Sequence, residues 1–234
     1  MKKLITIALI INSFASSHAQ ENKSNTMDCN PTIDVFGTKQ SIITRNFIDS
    51  VKLHDINLSS TAVGYGPSAG YKDEITIIDG QFHIATATSK TTLNLSNTIS
   101  DDIGAVFLVT SSPDKWMQFK VQDQISGTKE IVDLIAQQLK ANGCDQQVSI
   151  PFKITADAEQ IKWSIVGRPK GASSIESNQK VTIIGIYSTL KSNGYFLPKN
   201  FEIHAHVNIP NKNITGHLRN IETLKNISIY LPAK

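Results

Sequence analysis

The stretch that decides the fold is Phe201-Glu202-Ile203-His204-Ala205-His206-Val207-Asn208-Ile209, continued through Pro210-Asn211-Lys212-Asn213-Ile214-Thr215 to Gly216-His217. Apolar and polar residues alternate from 203 to 209, the period of a strand with one buried face. Ile203, Ala205, Val207 and Ile209 fall on that face. His204 and His206 project together from the other, because strand side chains repeat every two residues. A turn at Pro210-Asn211 brings the chain back, so that His217 returns on the partnering strand. Three imidazoles on one side of a hairpin make the open three-ligand set of a catalytic zinc, with water or substrate completing the coordination. The competing reading is a solvated face carrying His204 and His206, with His217 incidental. His-x-His alone favours that bland reading. The third converging histidine turns the balance towards a metal, since half of the six histidines fall within these 14 residues.

Outward from this hairpin, short runs rich in Ile, Val or aromatics and bounded by Gly, Asn or Pro recur at 74–78, 181–187 and 227–231, and read as further strands. Asp79-Gly80 between Ile77-Ile78 and Gln81-Phe82 is the strongest hairpin signal in the chain, because both turn residues tolerate positive φ. A two-residue loop there makes Ile78 face Gln81, Thr76 face His83 and Glu74 face Ala85, all on one side of the sheet. Glu74 is thus a candidate metal ligand or acid–base group, with His83 diagonally across from it. On spacing alone, an ordinary solvent-facing glutamate is the stronger alternative. Gly64-Tyr65-Gly66 lacks the following helix with Lys-Ser/Thr that a phosphate loop needs, and reads as a bend or bulge. One clear helix runs over 129–140, capped by Thr128, with Ile131, Leu134, Ile135 and Leu139 as its apolar stripe and Gly143 just past its end. A shorter helical turn covers 46–53. The fold class is α+β, mainly β, with mixed sheets, one or two helices and a single domain over 33–234.

The composition bounds the function. Of 234 residues, 40% are hydrophobic and 18% charged, a balance that supports a globular core and argues against disorder. Net charge is +3, or about +1 without Lys2 and Lys3. With no Lys/Arg cluster the chain has no electrostatic footprint for nucleic acid. Residues 1–19 read as a signal peptide: Lys2-Lys3, a mostly apolar run over 4–14, then Ser17-His18-Ala19 before Gln20. The run is too short to span a bilayer, and no Cys follows the cleavage site to carry a lipid. An exported protein, periplasmic or secreted and without a membrane span, is expected, and the polar residues 20–32 read as a flexible leader. Cys29 and Cys144 either form a bridge in an oxidising compartment or remain two unpaired thiols, and sequence leaves both open. No Gly-x-Ser-x-Gly elbow or paired-carboxylate motif is present.

These residues resemble a known family, the α-acetolactate decarboxylases. That family ends with a strand carrying His-x-His and a third His eleven positions after the second. The interval from His206 to His217 is the same, and Gly216 matches the Gly before the third ligand. Gly64, Gly66, Glu74, Ile77-Ile78 and Asp79-Gly80 match the family's Gly-x-Gly stretch, its glutamate and its apolar-apolar-Asp-Gly turn. Ile184-Gly185-Ile186-Tyr187 is similar to the strand before the ligand hairpin, so the resemblance runs from about Phe36 to Pro232.

The resemblance implies a single domain in which His204, His206 and His217 hold zinc, with Glu74 beside the metal. It implies conversion of 2-acetolactate, or a related branched 2-hydroxy-3-oxo acid, to acetoin and carbon dioxide. The metal would act as a Lewis acid and Glu74 as the proton donor. Three departures are visible. The family's active-site Arg lies in the strand matching 162–166. Here Arg168 comes two residues later, in a context that is either strand or turn. Asn211-Lys212 stands where the family has an acidic–basic pair. The family's second active-site glutamate, beyond its Leu-Pro, has no counterpart after Pro232 in this sequence. The alternative reading is therefore a catalytically inactive exported relative, a metal-containing binding protein. A homodimer is one assembly open to such a domain.

Overall fold

The structure is a computed structural model that describes residues 26–144, 147–190, 197–198 and 200–234. The expected signal peptide over 1–19 lies outside the described residues. Among the described residues, two six-stranded sheets dominate. The first is built from β1 (Asp34–Gly37), β3 (Val63–Pro67), β4 (Asp73–Ile78), β5 (Gln81–Ala87), β6 (Leu93–Ser96) and β8 (Phe107–Ser111), in the order β1-β8-β3-β4-β5-β6. The second takes β9 (Lys115–Lys120), β10 (Ser149–Ile165), β11 (Ala172–Ser188), β12 (Ile203–Ile209), β13 (Ile214–Ile221) and β14 (Leu224–Ala233), in the order β11-β12-β13-β10-β14-β9. β2 (Val51–Lys52) and β7 (Gly104–Ala105) make a small third pair. The class is α+β and mainly β. Where the sequence reading has mixed sheets, every described pairing is antiparallel.

The two hairpins that matter most follow from local chemistry. Asp79 and Gly80 take φ of 49° and 74°, the paired positive values of a type I′ turn. The register is the one the turn dictates: Ile78 opposite Gln81, Thr76 opposite His83, Glu74 opposite Ala85. Gly64 and Gly66 mark neither a bend nor a bulge. A Cβ on Gly66 would lie 2.0 Å from the Phe107 carbonyl oxygen, and one on Gly64 would lie 2.5 Å from that of Val109. Glycine lets β3 press against β8 there, which leaves Tyr65 as the side chain between them.

β10 and β11 are each 17 residues long and pair along almost their whole length. The other edge of β10 is divided, with 153–158 on β14 and 161–164 on β13. A register shift at Lys162/Trp163 leaves Arg219 without an opposite residue on β10. A bulge of this kind re-aims the extra side chain.

The helix α2 (Gly127–Ala141) buries Ile131, Leu134, Ile135 and Leu139, the stripe read from the sequence, and Gly143 follows it at φ 78°. Its cap is Ser126 rather than Thr128: Gly127 already turns into the helix, and the Ser126 N–H donates to the Glu130 carboxylate at 2.6 Å. The short helix α1 spans Lys39–Ile43, where Thr38 accepts from the Ser41 N–H. It replaces the turn expected over 46–53. There Phe47 stacks on Tyr71, and the chain extends into β2 before a 3-10 turn at Leu53–Asp55 that buries Leu53 completely. The main core packs the second sheet against α2. A second cluster, including Tyr65, Phe107, Ile184 and Ile186, joins the faces of the two sheets. Among the described residues no helix is long and apolar enough to cross a membrane.

The leader is fastened where it is described. Met27 bridges Ala233, the Asp28 N–H donates to the Pro232 carbonyl, and Cys29 is disulfide-bonded to Cys144. That bridge spans 115 residues of sequence, and closing so long a loop removes much chain entropy from the unfolded state. Reduction, or Cys144→Ser, is expected to lower the unfolding free energy by about 2–4 kcal/mol. A chemical denaturation midpoint unchanged on reduction would show that the bridge contributes nothing to stability.

Candidate metal centre

The site lies where the face of the first sheet meets the face of the second. β12 and β13 are joined by a 3-10 turn at Pro210–Lys212, closed by Asn213 in the left-handed region. That turn sets His206 directly opposite His217, with His204 two residues along on the same face. The ring centroids are 4.6 Å apart for His206 and His217, 4.9 Å for His204 and His217, and 5.6 Å for His204 and His206. One nitrogen from each ring lies within 4.8 Å of the others, a grouping that could gather on a single ion.

Glu74 and Thr76 reach this cluster from β4. The Thr76 hydroxyl is 2.7 Å from His206 Nδ1. A proton on Nδ1 donated to that hydroxyl would turn the Nε2 lone pair to the cluster, which is how a partner behind the ring fixes the tautomer of a ligand. Glu74 is fully buried. Its Oε2 accepts from the Val166 N–H at 3.0 Å and lies 3.0 Å from His217 Nδ1, without hydrogen-bond geometry to that nitrogen. Its Oε1 faces His206 Nε2 at 3.7 Å. The Tyr65 ring lies flat on His204, at 4.2 Å and 6° between planes, and holds its orientation.

Burial keeps His204 and His206 well below the ordinary histidine range. The neighbouring His217 and the Arg219 charge press both the same way, and Lys39 adds to the effect on His204. Both are therefore neutral, the form that can coordinate a metal. Burial also raises the Tyr65 hydroxyl, which stays protonated.

The test of whether a metal fits is where polar atoms go unpaired. Buried polar atoms nearly always find partners, yet His204 Nε2, His206 Nε2, His217 Nδ1 and Glu74 Oε1 have no hydrogen bond. Three imidazole nitrogens converging with no protein partner are the ligand set of a catalytic zinc site with room for substrate, and the Glu74 oxygen lies beside them. The residues fit such an ion.

Two cavities adjoin the cluster and share His204, His217 and Pro198. One, of about 320 Å³, is also lined by Arg219, Ile203 and Leu218, and the other, of about 170 Å³, by Glu74, Tyr65, Tyr71, Val166 and Lys39. Of the residues singled out in the sequence, the structure brings together His204, His206, His217 and Glu74. Arg168 stands apart, in the bend after β10. Its guanidinium lies 4.5 Å from the Phe47 ring centre, and Phe47 in turn stacks on Tyr71.

The wall of the larger cavity carries Arg219, whose Nε donates to Ser164 Oγ at 2.5 Å. Arg219 reaches the cavity from the bulge in β13, where the β10 register shifts. Thr76 carried a signal in the sequence through its place two residues from Glu74. Lys39 carried none.

A scan against family models and a search of curated proteins find no match. Solved structures do match. The acetolactate decarboxylase of Bacillus subtilis subspecies spizizenii has a TM-score of 0.68 at 15% identity, over 86% of this chain and 86% of that one. The α-acetolactate decarboxylase of Bacillus subtilis strain 168 gives 0.69 at 15% identity, over 86% and 85%. A Staphylococcus aureus protein of unknown function, described as similar to α-acetolactate decarboxylase, gives 0.67 at 12% identity, over 86% and 85%.

Thr76→Val leaves the His206 ring without its partner, and metal affinity is expected to fall about 10–100-fold. Competition for zinc against a chromogenic chelator measures this, and an unchanged affinity would show that Thr76 does not orient the ligand. At identities of 12–15% the likeness speaks for architecture, and the chain has the fold of the acetolactate decarboxylases.

Proposed function

We propose that the protein is a zinc-dependent decarboxylase, acting on 2-acetolactate or a related branched 2-hydroxy-3-oxo acid and releasing acetoin and carbon dioxide. The observation that carries this reading is the convergence of three unpartnered imidazole nitrogens on Glu74 beside a cationic cavity wall. The likeness in fold to acetolactate decarboxylases supports it.

In this reading His204, His206 and His217 would hold the ion, whose Lewis acidity would stabilise the negative charge that develops as the substrate loses carbon dioxide. Arg219 pairs with the substrate carboxylate. It faces the cavity and is steadied by Ser164, whereas Arg168 would act only through Phe47 and Tyr71. As the bond from C1 to C2 breaks, carbon dioxide leaves, and the electron pair stays on C2 and spreads to the ketone oxygen. One proton must then be added at C2 to give the hydroxyketone. Glu74 delivers it: the Val166 N–H pins one of its oxygens, and the other is unpartnered within the cluster. A positioned acid on one side of C2 fixes the chirality of the product. The signal-peptide pattern read over 1–19 and the Cys29–Cys144 bridge both support export, since disulfides persist in oxidising compartments.

The test is incubation of the zinc-loaded protein with racemic 2-acetolactate and colorimetric detection of acetoin. Acetoin should form well above the spontaneous rate and stop with a chelator. Glu74→Gln is expected to lower kcat by about 100-fold or more. Acetoin at the spontaneous rate from a protein holding one zinc would overturn the decarboxylase reading and leave the metal-containing binding protein.

A further inference from the structure

Tyr65 ends in a hydroxyl that no protein atom satisfies. The residue is 1% exposed, and its hydroxyl is enclosed without a hydrogen-bond partner among the described residues. Buried polar groups nearly always find partners. The apolar neighbours of the ring, Val63, Phe107, Ile184 and Ile186 among them, offer none. Phenylalanine would fill the same space and leave nothing unsatisfied.

The hydroxyl also has a defined place. Tyr65 lines the cavity of about 170 Å³ together with Glu74, His204 and His217. Its ring lies flat on His204 at 4.2 Å and is 5.4 Å from His206, so the donor is fixed relative to the imidazoles. The strand that carries it has no slack. At Gly64 and Gly66, on either side, a Cβ would run into the carbonyl oxygens of Val109 and Phe107. Glu74 Oε1 and the facing imidazole nitrogens are themselves unpartnered and so are not bonded to this hydroxyl. The acceptor it fits is one that a ligand brings. A donor held in advance where charge develops, in a site closed to water, needs no rearrangement to stabilise that charge.

In the decarboxylation, the C1–C2 bond breaks and its electron pair spreads from C2 to the ketone oxygen. We propose that Tyr65 is a further catalytic residue, whose hydroxyl donates a hydrogen bond to that ketone oxygen as it takes up the negative charge. The Tyr65 O–H bond stays intact, C1 leaves as carbon dioxide, and the proton gained by C2 still comes from Glu74. The inference rests on the decarboxylase reading for the reaction, and on the enclosed hydroxyl for the donor.

The test is Tyr65→Phe, which removes one oxygen and keeps the ring on His204. Zinc affinity should stay within about twofold of wild type, and Tm should not fall, because the lost hydroxyl had no partner. Acetoin formation should slow about 10–100-fold in kcat. A second readout needs no turnover: calorimetric titration of the zinc-loaded protein with acetohydroxamate, a planar anion with two oxygens on adjacent atoms, as in an enediolate. Tyr65→Phe should bind it about tenfold more weakly, the scale of one hydrogen bond to a charged acceptor. Imidazole, which has no oxygen to accept that bond, should bind both proteins within about twofold. Equal affinity of the two proteins for acetohydroxamate overturns the proposal, as does no binding by wild type, or a kcat unchanged in an active enzyme. A tenfold loss of zinc affinity also overturns it, since Tyr65 would then only support His204. The acetoin assay of the wild type fails separately. A protein that makes acetoin equally well as Tyr65→Phe keeps the decarboxylase and loses the donor. One that makes none, yet loses acetohydroxamate with the hydroxyl, keeps an oxyanion donor at the centre and loses the decarboxylase.

Discussion

The hydrogen bond between Thr76 and His206 joins the two sheets where both faces are fully buried. That contact ties the carboxylate-bearing strand directly to one of the imidazoles. The imidazoles are positioned by the β12–β13 hairpin, and the carboxylate by the register of β4 against β5. Each hairpin is specified locally by its own turn. What the tertiary fold adds is the separation between them, which the apolar cluster of Tyr65, Ile184 and Ile186 sets. A backbone hydrogen bond from Val166, at the end of β10, then holds the glutamate from a third direction.

The centre is also where the protein tolerates what it avoids elsewhere. An unpaired buried polar atom costs about 1–3 kcal/mol, and five of the seven in the described residues belong to Tyr65, Glu74 and the three histidines. Local consistency fails most often at functional sites. Here the failures are gathered at one point and share one remedy, a ligand with both cationic and oxygen-donor character. The tight approach of β3 to β8 at Gly64 and Gly66 fits the same logic, because it brings the Tyr65 ring onto His204 at no cost in side-chain bulk.

Much of this was legible in the residues. Asp79-Gly80 dictates a register, and the carboxylate follows from it. The interval between His206 and His217 matches a short antiparallel return, and the apolar stripe of α2 is visible in its spacing. The parts that stayed hidden are those decided by neighbours distant in sequence. Whether β10 pairs with β13 in one register or two is a tertiary matter, and the bulge that aims Arg219 comes from it. The helical propensity of 46–53 yields to the burial of Leu53 and the stacking of Phe47, while Thr38 caps a short helix earlier in the chain, at Lys39–Ile43. A polar leader has no sequence mark of being fastened, and pairing of Met27 with Ala233 can be seen only once β14 is in place.

The span of chain between Thr76 and His206, 130 residues, also bears on the order in which the molecule assembles. Contacts close in sequence form early, while those across long loops wait for most of the chain to be ordered. The imidazole hairpin belongs to the first kind and the carboxylate to the second. The β12–β13 hairpin therefore orders ahead of the docking of the two sheets that brings Glu74 to it.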